Sequence, residues 1–421
     1  MSWPPVGGHD NGVMASPPPI PRDPVLIFGA HIAALGVLRT LAKRGIETYV
    51  VDETTNVIVH SRWYRPAERT LAETSDSGVL AAYLESLALP RAVLIPCSDA
   101  WALAVAGLPA ETRERFPASI APRAAVAQFV DKDGFRALAD RLDLPRPRTL
   151  AIRSAADLDQ ATDEDLAHGF LKPTDSQRHN RRFGTKGSFV ESRADAIRLV
   201  EEASADGITF MLQEWIPGNE SHTILIDGFV DHQGAIAAMV ARRRVRMDPP
   251  KLANTCSDVT IPLAEVSACM APLRTLLADV DYRGIFNVEF KFHEHDGRPR
   301  IIEVNPRPFW LIGHIARVGV DLPWFNYLDA LKLPLPPPPT YRVGRYGMYE
   351  IPDATAIARA WVHGRRPQGP VLRPWLTGDR ALFWWRDPLP AVSGVSQIIG
   401  RRVGGLVGRL GRRREDGASI P

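Results

Sequence analysis

The sequence predicts a mixed architecture, an α/β domain followed by an α+β unit, in a chain of 421 residues. An apolar run at residues 25–29, a helical pattern at 32–44 and a second apolar run at 48–52 are typical of the β-α-β start of a doubly wound sheet. Two further strand-like segments, residues 287–290 and 302–308, flank a short polar turn and predict a β-hairpin. A chain of this length exceeds a single core, so we expect two or three packed units.

The N-terminal part combines a disordered arm with a Rossmann-like domain. Residues 1–23 are rich in proline and glycine, and the domain is predicted at residues 24–120. The loop at residues 29–34 lacks the second and third glycines of the dinucleotide fingerprint, so we favour a domain that holds substrate or gives support over one that binds NAD. His31 in this loop and Asp99, just past a later buried strand, are candidates for substrate contact. A helix N-cap is the alternative role for Asp99.

Lysines mark the start of the second unit. A helix is predicted to open beside Lys132, and a strand at residues 169–173 carries Lys172 near its end. The polar stretch at residues 174–187, which contains Lys186, has the glycines and cations that suit a flexible cover for a phosphate group.

The middle of the chain alternates strands and turns. Residues 210–218 predict a strand that runs into a turn, with Glu220 directly after it, and strands recur at 223–226 and 235–240. An arginine cluster follows at Arg242, Arg243, Arg244 and Arg246. Arg244 and Arg246 share one side of an extended strand, and they face either solvent or an anion.

The predicted hairpin carries the strongest site signal. Glu289 and Glu303 are carboxylates within apolar, strand-like segments, where an unpaired charge is costly. Asn305 and Arg307 continue the parity of Glu303, so these side chains leave the strand on one face. A three-residue loop at residues 296–298 would place Glu289 opposite Asn305, whereas a two-residue turn would point Glu289 away from Glu303. We predict the longer loop and a site of oxygen ligands plus a cation, with the solvated face of an ordinary hairpin as the alternative.

The chain changes character at the proline run of residues 334–339, which predicts a stiff linker. We assign residues 336–421 to an extension rich in proline, arginine and tryptophan. Residues 392–414 interleave apolar and arginine side chains, as an amphipathic helix on an anionic membrane would, although four glycines weaken that prediction. A docked or frayed tail is the alternative.

Composition restricts the class of protein. A hydrophobic content of 45% with 24% charged residues is ordinary for soluble globular proteins, and the net charge of +3 points to no nucleic-acid partner. Cys97, Cys256 and Cys269 are too widely spaced for a metal motif or an evident disulfide framework, which favours a reducing cytoplasm. No apolar run reaches the length of a membrane span. We expect a cytoplasmic protein, with peripheral contact to the inner membrane face left open.

The ordered series of these motifs resembles the ATP-grasp superfamily, in its carboxylate–amine ligase branch, which includes relatives of D-aspartate ligase and of the carbamoyl-phosphate synthase halves. The resemblance places an ATP-grasp fold of two lobes at residues 121–335, with the nucleotide lobe at about 166–216. The N-terminal domain is similar to the α/β domain that precedes the grasp in this superfamily. The long, glycine-poor stretch at residues 175–184 departs from the short Gly/Ser cover of many members, which leaves the closing motion and the role of Lys186 open.

The resemblance also implies roles for individual residues. Phosphate contacts would come from Lys132, Lys172 and Lys186, and the adenine and ribose contacts from Gln213, Glu214, Trp215, Ile216 and Glu220. Two Mg²⁺ or Mn²⁺ ions would be held by Glu289, Glu303 and Asn305. The transferred phosphoryl group would be stabilised by Arg307 with Arg244 or Arg246.

The activity implied is ATP-dependent ligation, in which a carboxylate becomes an acyl phosphate and joins an amine while ADP and phosphate are released. The expected partners are small-molecule substrates, amino acids or peptide-like compounds, and a homodimer is left open. One alternative is carboxyphosphate or carbamoyl-phosphate chemistry, which bicarbonate-dependent ADP release would reveal. An alternative of another class is a membrane-associated nucleotide-binding scaffold.

Overall fold

The computed structural model describes residues 22–53, 56–185, 187–249 and 254–396. Its N-terminal domain has a three-stranded parallel sheet in the order β2-β1-β3, as the apolar runs predicted. Every residue of β1 and β3 is buried, which explains their unbroken apolar character. The elements are β1 (Val25–Phe28), α1 (Ile32–Lys43), β2 (Thr48–Val51), α2 (Ser77–Glu85), β3 (Val93–Pro96), α3 (Asp99–Ala106) and α4 (Ala110–Arg115).

A small antiparallel sheet in the order β4-β6-β5 forms the next layer. Helices pack on its buried face around a core that includes Leu171, Val200 and Leu212. The elements of this region are α5 (Arg123–Val130), α6 (Lys132–Arg141), β4 (Thr149–Ile152), α7 (Asp163–His168), β5 (Gly169–Pro173), α8 (Ser176–Phe183), α9 (Arg193–Ser204) and β6 (Phe210–Glu214).

The prediction of a flexible loop at residues 174–187 is wrong over most of that stretch, because α8 occupies it. The Asp175 carboxylate accepts a hydrogen bond from the backbone N–H of Arg178 at 2.9 Å and so caps the first turn. His179 is fully buried, with its ring 4.7 Å from that of Phe183 and 5.5 Å from that of Phe210. The buried ring of His179 thus packs α8 against Phe210 of the small sheet.

A seven-stranded sheet in the order β11-β10-β7-β8-β9-β12-β13 dominates the rest of the molecule. Its strands are β7 (Thr223–Val230), β8 (Ile236–Asp248), β9 (Asn254–Ile261), β10 (Gly284–Phe292), β11 (Pro299–Asn305), β12 (Tyr346–Met348) and β13 (Asp379–Arg380). Its helices are α10 (Ser267–Asp279), α11 (Ile312–Val318), α12 (Leu322–Ala330), α13 (Glu350–Val362) and α14 (Leu372–Thr377).

The register of the β10–β11 hairpin differs from the prediction. Glu289 lies opposite Glu303, not Asn305, and Asn305 lies opposite Asn287. The pairing then shifts, so that Phe290 faces Ile301 and the intervening residue of β11 is bulged out. Because of this bulge, the fully buried Ile301 and the exposed Glu303 point to opposite sides although they are two residues apart.

The N-terminal domain packs directly against the helices that follow the hairpin. Gly36 of α1 lies so close to α11 that a Cβ atom there would stand 2.8 Å from the Ile312 side chain and 3.0 Å from the Gly313 backbone. This close approach joins α1, α11 and α12 into one hydrophobic core that includes Leu38, Ile315 and Phe325. The core holds the carboxyl ends of the parallel strands beside the end of β11.

The segment after the proline run is built into the fold. β12 pairs antiparallel with β9 and so extends the large sheet. Buried ion pairs fasten this segment at two places, since Arg246 of β8 binds Asp353 at 2.7 Å and Arg39 of α1 binds Asp387 at 2.8 Å. The predicted amphipathic helix at 392–414 lies mostly outside the described residues, as does the arm at 1–21.

Within the described ranges, no helix combines the length and the apolar character that a bilayer crossing requires. Cys97, Cys256 and Cys269 are buried and free.

Candidate functional site

A cleft of about 700 Å³ opens between the small sheet, the large sheet and the N-terminal domain. It gathers side chains that are far apart in the sequence, because strands from both sheets present one face to it. The predicted site residues that line it are Asp99, Lys132, Lys172, Gln213, Glu214, Trp215, Ile216, Glu220, Arg244, Glu289, Glu303, Asn305 and Arg307.

Among the described residues, two of the predicted ones, Arg246 and His31, do not join this group. Arg246 points to the other side of the bulged β8 strand, where its guanidinium donates to Asp353 and to the carbonyls of Gln368 and Pro370. His31 caps α1 by accepting a hydrogen bond from the Ala33 N–H at 3.3 Å. Burial, reinforced by the charge of Arg307, lowers the pKa of His31. Lys186 lies outside the described residues.

Two carboxylates face each other at the centre of the cleft. Glu289 and Glu303 occupy directly opposed positions of β10 and β11, with Glu289 half-buried and Glu303 exposed to the cleft. Burial raises the pKa of Glu289, and the nearby charge of Glu303 adds to the rise, whereas Arg244 and Lys172 oppose it. The two negative charges therefore repel each other unless a nearby positive charge compensates them.

Arg244, on β8, supplies part of that positive charge. Its Nη2 donates to Glu289 Oε2 at 2.6 Å, while its Nε donates to Thr255 Oγ1 at 2.7 Å and its Nη1 to Thr223 Oγ1 at 3.3 Å. Hydrogen bonds on all three nitrogens fix the plane of the guanidinium. The carboxylate of Glu289 is thereby held in one orientation from the neighbouring strands.

A hydrogen-bonded chain of amides continues from Glu303 into the sheet. Asn305 Nδ2 donates to Glu303 Oε1 at 3.3 Å and to Asn287 Oδ1 at 3.0 Å, and Asn287 Nδ2 donates to Asp227 Oδ1 at 2.6 Å. Asp227 is fully buried and is paired in turn with Arg242. The sequence reasoning missed Asn287, although its odd number places it on the same face of β10 as Glu289.

Arg307 connects the hairpin to the N-terminal domain. Its Nε and Nη2 donate to the two carboxylate oxygens of Asp99 at 2.6 and 3.2 Å, and Nη2 also donates to Asn305 Oδ1 at 3.1 Å. Burial lowers the pKa of Arg307, but Asp99 together with Glu303 and Cys97 raises it, so the net direction is upward. Asp99 is the first residue of α3, and Ser98 provides the N-cap, so the cap alternative for Asp99 is wrong.

Aromatic and charged groups line the other end of the cleft, at the end of β6. The Trp215 ring packs against those of Phe170 and Phe189, and Lys291 Nζ lies 4.3 Å from the Trp215 ring centroid. Burial lowers the pKa of Lys291, and the charge of Arg244 adds to the effect. The Trp215 backbone N–H donates to the His168 carbonyl, and the Glu214 carboxylate accepts from the Arg148 N–H. Lys291 was also missed, although it continues the parity of Glu289.

The two described lysines approach from the opposite lobe. Lys132 Nζ donates to the Pro173 carbonyl at the end of β5, and Lys172 lies close enough to Glu289 to affect its pKa. The cleft therefore has lysines on one wall and, on the other, carboxylates interleaved with Arg244 and Arg307. This arrangement suits a polyanion that cations neutralise from both sides, with the carboxylates left to hold a metal ion.

The central donor set fits a hard divalent cation. Glu289, Glu303 and Asn305 supply two carboxylates and an amide oxygen, the ligand types that Mg²⁺ prefers. Among the described residues, no group of three or more His, Cys, Asp or Glu side chains forms a metal cluster. The candidate set thus depends on the amide of Asn305 as well as on acids.

Comparisons with known proteins show what this chain is similar to. The sequence profile of a family described as "ATP-grasp in the biosynthetic pathway with Ter operon" matches residues 207–345, which include β7 to β11. A D-aspartate ligase from Enterococcus faecium is 24% identical over 223 residues, 51% of this chain and 53% of the relative. An N5-carboxyaminoimidazole ribonucleotide synthase from Synechococcus elongatus is 30% identical over 190 residues, 44% of each chain. The chain spans about half the length of these curated relatives.

The fold is shared with solved enzymes of the same architecture. An L-amino acid ligase from Bacillus licheniformis superposes with a TM-score of 0.55 at 12% identity, covering 77% of this chain and 78% of that one. Similarity at that level of identity establishes the fold and no more. The family match adds that residues 207–345, which form most of the large sheet, are similar to ATP-grasp proteins.

Proposed function

We propose that this chain is an ATP-dependent ligase that activates a carboxylate as an acyl phosphate and joins it to an amine. The observation that carries the proposal is the position of Glu289 and Glu303 side by side on one wall of the cleft, flanked by the guanidiniums of Arg244 and Arg307. Phosphoryl transfer depends on positioning and charge neutralisation. It therefore requires acids that hold a metal ion beside cations that bind the phosphate groups.

ATP would lie along the cleft from the end of β6 to the hairpin. The base end is lined by Gln213, Glu214 and Ile216, with Glu220 beside them, and Lys132 and Lys172 would approach the phosphate end from α6 and β5, respectively. Glu289, Glu303 and Asn305 would hold Mg²⁺, which when bound neutralises charge on the phosphate oxygens.

The chain's own residues would then orient the reactants. An oxygen of the substrate carboxylate attacks the γ-phosphorus of ATP, and the bond to the β-phosphate oxygen breaks to release ADP. Arg307 and Arg244 would stabilise the transferred phosphoryl group by charge-assisted hydrogen bonds. The amine attacks the acyl carbon, phosphate leaves with the C–O bonding electrons, and the nitrogen loses a proton to form the amide.

The nature of the acid is the point on which the curated relatives diverge. One is named as a D-aspartate ligase and the other as an N5-carboxyaminoimidazole ribonucleotide synthase, which fits the carboxyphosphate alternative. Release of ADP should be screened over pairs of amino acids, with bicarbonate plus amine as a separate arm. Turnover that requires both an organic carboxylate and an amine supports ligation. Turnover that requires bicarbonate contradicts it, and the absence of ADP from every pair would reject the proposal.

Arg244 and Arg246 form a matched pair for testing the site. We expect Arg244→Met to lower kcat for ADP formation by about 10- to 100-fold, because it frees Glu289 and removes a cation from the cleft. Arg246→Met should leave kcat within about threefold and instead lower the free energy of unfolding, because Arg246 binds the buried Asp353. Steady-state kinetics and urea unfolding on both variants separate the two effects. An equal loss of kcat in both variants would contradict the assignment.

Small-molecule carboxylate and amine substrates are the partners this proposal requires. Peripheral membrane contact through residues 392–421 and a homodimer remain separate proposals. Vesicle binding that is unchanged when residues 392–421 are deleted would reject the first. A molar mass of one chain by light scattering would reject the second.

A further inference from the structure

The N-terminal domain contributes one acidic side chain, Asp99, to the catalytic end of the cleft. Asp99 binds Arg307 through two hydrogen bonds at 2.6 and 3.2 Å, although its side chain remains 45% exposed. The Arg307 side chain is only 18% exposed, and a bidentate carboxylate fixes the orientation of a guanidinium as well as binding it. Asp99 therefore determines where the guanidinium of Arg307 lies in the cleft.

The hydrogen bonds of Arg307 show what Asp99 does. Four of its five N–H donors are used, two by Asp99 and one each by Asn305 Oδ1 and the Pro308 carbonyl. Asn305 in turn donates to Glu303, so a single amide group separates the guanidinium from that carboxylate. Without Asp99, Arg307 would still have Glu303 next to it, because Asn305 links the two side chains and the charge of Glu303 acts on the guanidinium.

We propose that Asp99 is a positioning residue that holds Arg307 away from Glu303 and thereby keeps that carboxylate free to bind a divalent cation. This inference rests on the proposed function for the identity of the metal site. It adds an acid from the N-terminal domain to a site whose other members all belong to the grasp region. It also explains why α3 begins beside the end of β11, since Ser98 caps the helix and directs Asp99 toward the cleft.

A metal titration tests the proposal without catalysis. Mn²⁺ binding to the full chain is measured by electron paramagnetic resonance for wild type, Asp99→Asn, Arg307→Met and the double variant, with Glu303→Gln as the reference for loss of the site. We expect Asp99→Asn to raise the Kd for Mn²⁺ roughly 10-fold or more, as removal of outer partners of metal ligands does. Arg307→Met should not raise the Kd, and adding Asp99→Asn to it should have no further effect.

Glu47 provides the matched control. It forms an ion pair with Arg65 in the same domain, and its side chain is also 45% exposed, but it does not line the cleft. Glu47→Gln should leave the Kd for Mn²⁺ unchanged. The inference is overturned if Asp99→Asn leaves the Kd for Mn²⁺ unchanged, or if wild type binds no Mn²⁺. It is also overturned if Asp99→Asn raises the Kd equally in wild type and in Arg307→Met.

The outcome is separable from that of the proposed function. If wild type releases ADP while Asp99→Asn binds Mn²⁺ as tightly as wild type, only the positioning role fails. If the Mn²⁺ cycle behaves as expected but no substrate pair yields ADP, the proposed ligase activity fails and the role of Asp99 stands. A rise in the KM for the carboxylate alone, with the Kd for Mn²⁺ unchanged, would assign Asp99 to substrate contact instead.

Discussion

Glu303→Gln is expected to lower kcat for ADP formation by about 10²- to 10³-fold, a loss of roughly 3–4 kcal/mol of transition-state stabilisation. Glutamine keeps the shape of the side chain and its hydrogen bond with Asn305 but removes the charge opposite Glu289. The remaining carboxylate, already neutralised in part by Arg244, would hold Mg²⁺ weakly. Initial rates of ADP release at several Mg²⁺ concentrations measure the effect.

The hairpin itself offers a control for this substitution. Glu294 lies in the turn between β10 and β11, and its side chain is 41% exposed. Glu294→Gln removes one negative charge from the same hairpin at a place that does not line the cleft. We expect its kcat to match wild type. If Glu303→Gln kept the wild-type rate at limiting Mg²⁺, the assignment of Glu303 as a metal ligand would be wrong.

The hairpin shows how far sequence reasoning reaches. Alternation placed Glu289, Glu303 and Asn305 on one face, and the structure has all three lining the cleft. The predicted pairing was wrong because residues 293–298, not 296–298, separate the two strands, and because β11 is not unbroken. Ile301 and Ile302 are adjacent apolar residues, and only the bulge lets Ile301 enter the core while Glu303 faces the cleft. A bulge changes which side of the sheet the following side chains face. The position of this bulge depends on the pairing of Ile301 with Phe290 of the other strand, and the sequence of β11 alone does not reveal it.

Long-range pairing limits prediction in a second way. Arg244 and Arg246 look equivalent by parity, but a register shift between them sends Arg246 to Asp353, 107 residues later in the chain. Asp99 and Arg307, which are 208 residues apart, meet only because α1 packs on α11 and α12. Local pattern predicted most of the charged side chains that line the cleft. Which of them meet is decided by tertiary contacts between segments that the local pattern treats separately.

The second large effect concerns stability. Arg242→Met is expected to lower the free energy of unfolding by about 3–5 kcal/mol. Arg242 is 2% exposed and forms ion pairs with two buried acids, Asp227 and Asp258. Burial lowers the pKa of Arg242, but the two acids raise it further, so the guanidinium stays charged in the sheet. Removing it leaves two carboxylates facing each other without a counter-charge in a buried site.

Arg243 is the matched control, because it is the next residue on the same strand and points to the opposite side. Its guanidinium pairs with Glu265, and both side chains are well exposed, so Arg243→Met should lower the free energy of unfolding by no more than about 1 kcal/mol. Urea unfolding followed by circular dichroism compares the two variants. Arg242→Lys gives an intermediate value if Arg242→Met does not fold, because it keeps the charge and loses the bidentate bond to Asp227.

A substitution of Arg242 is also expected to affect the cleft, through Asp227. That carboxylate accepts from both Arg242 and Asn287, and Asn287 accepts from Asn305. If Asp227 is released from Arg242, burial favours its protonated form, and the amide chain that ends at Glu303 loses its charged anchor. A fall in Mn²⁺ affinity in Arg242→Lys, at temperatures where the variant is fully folded, is therefore expected alongside the loss of stability. Unchanged Mn²⁺ affinity would show that Asn287 and Asn305 hold their positions without the buried ion pair.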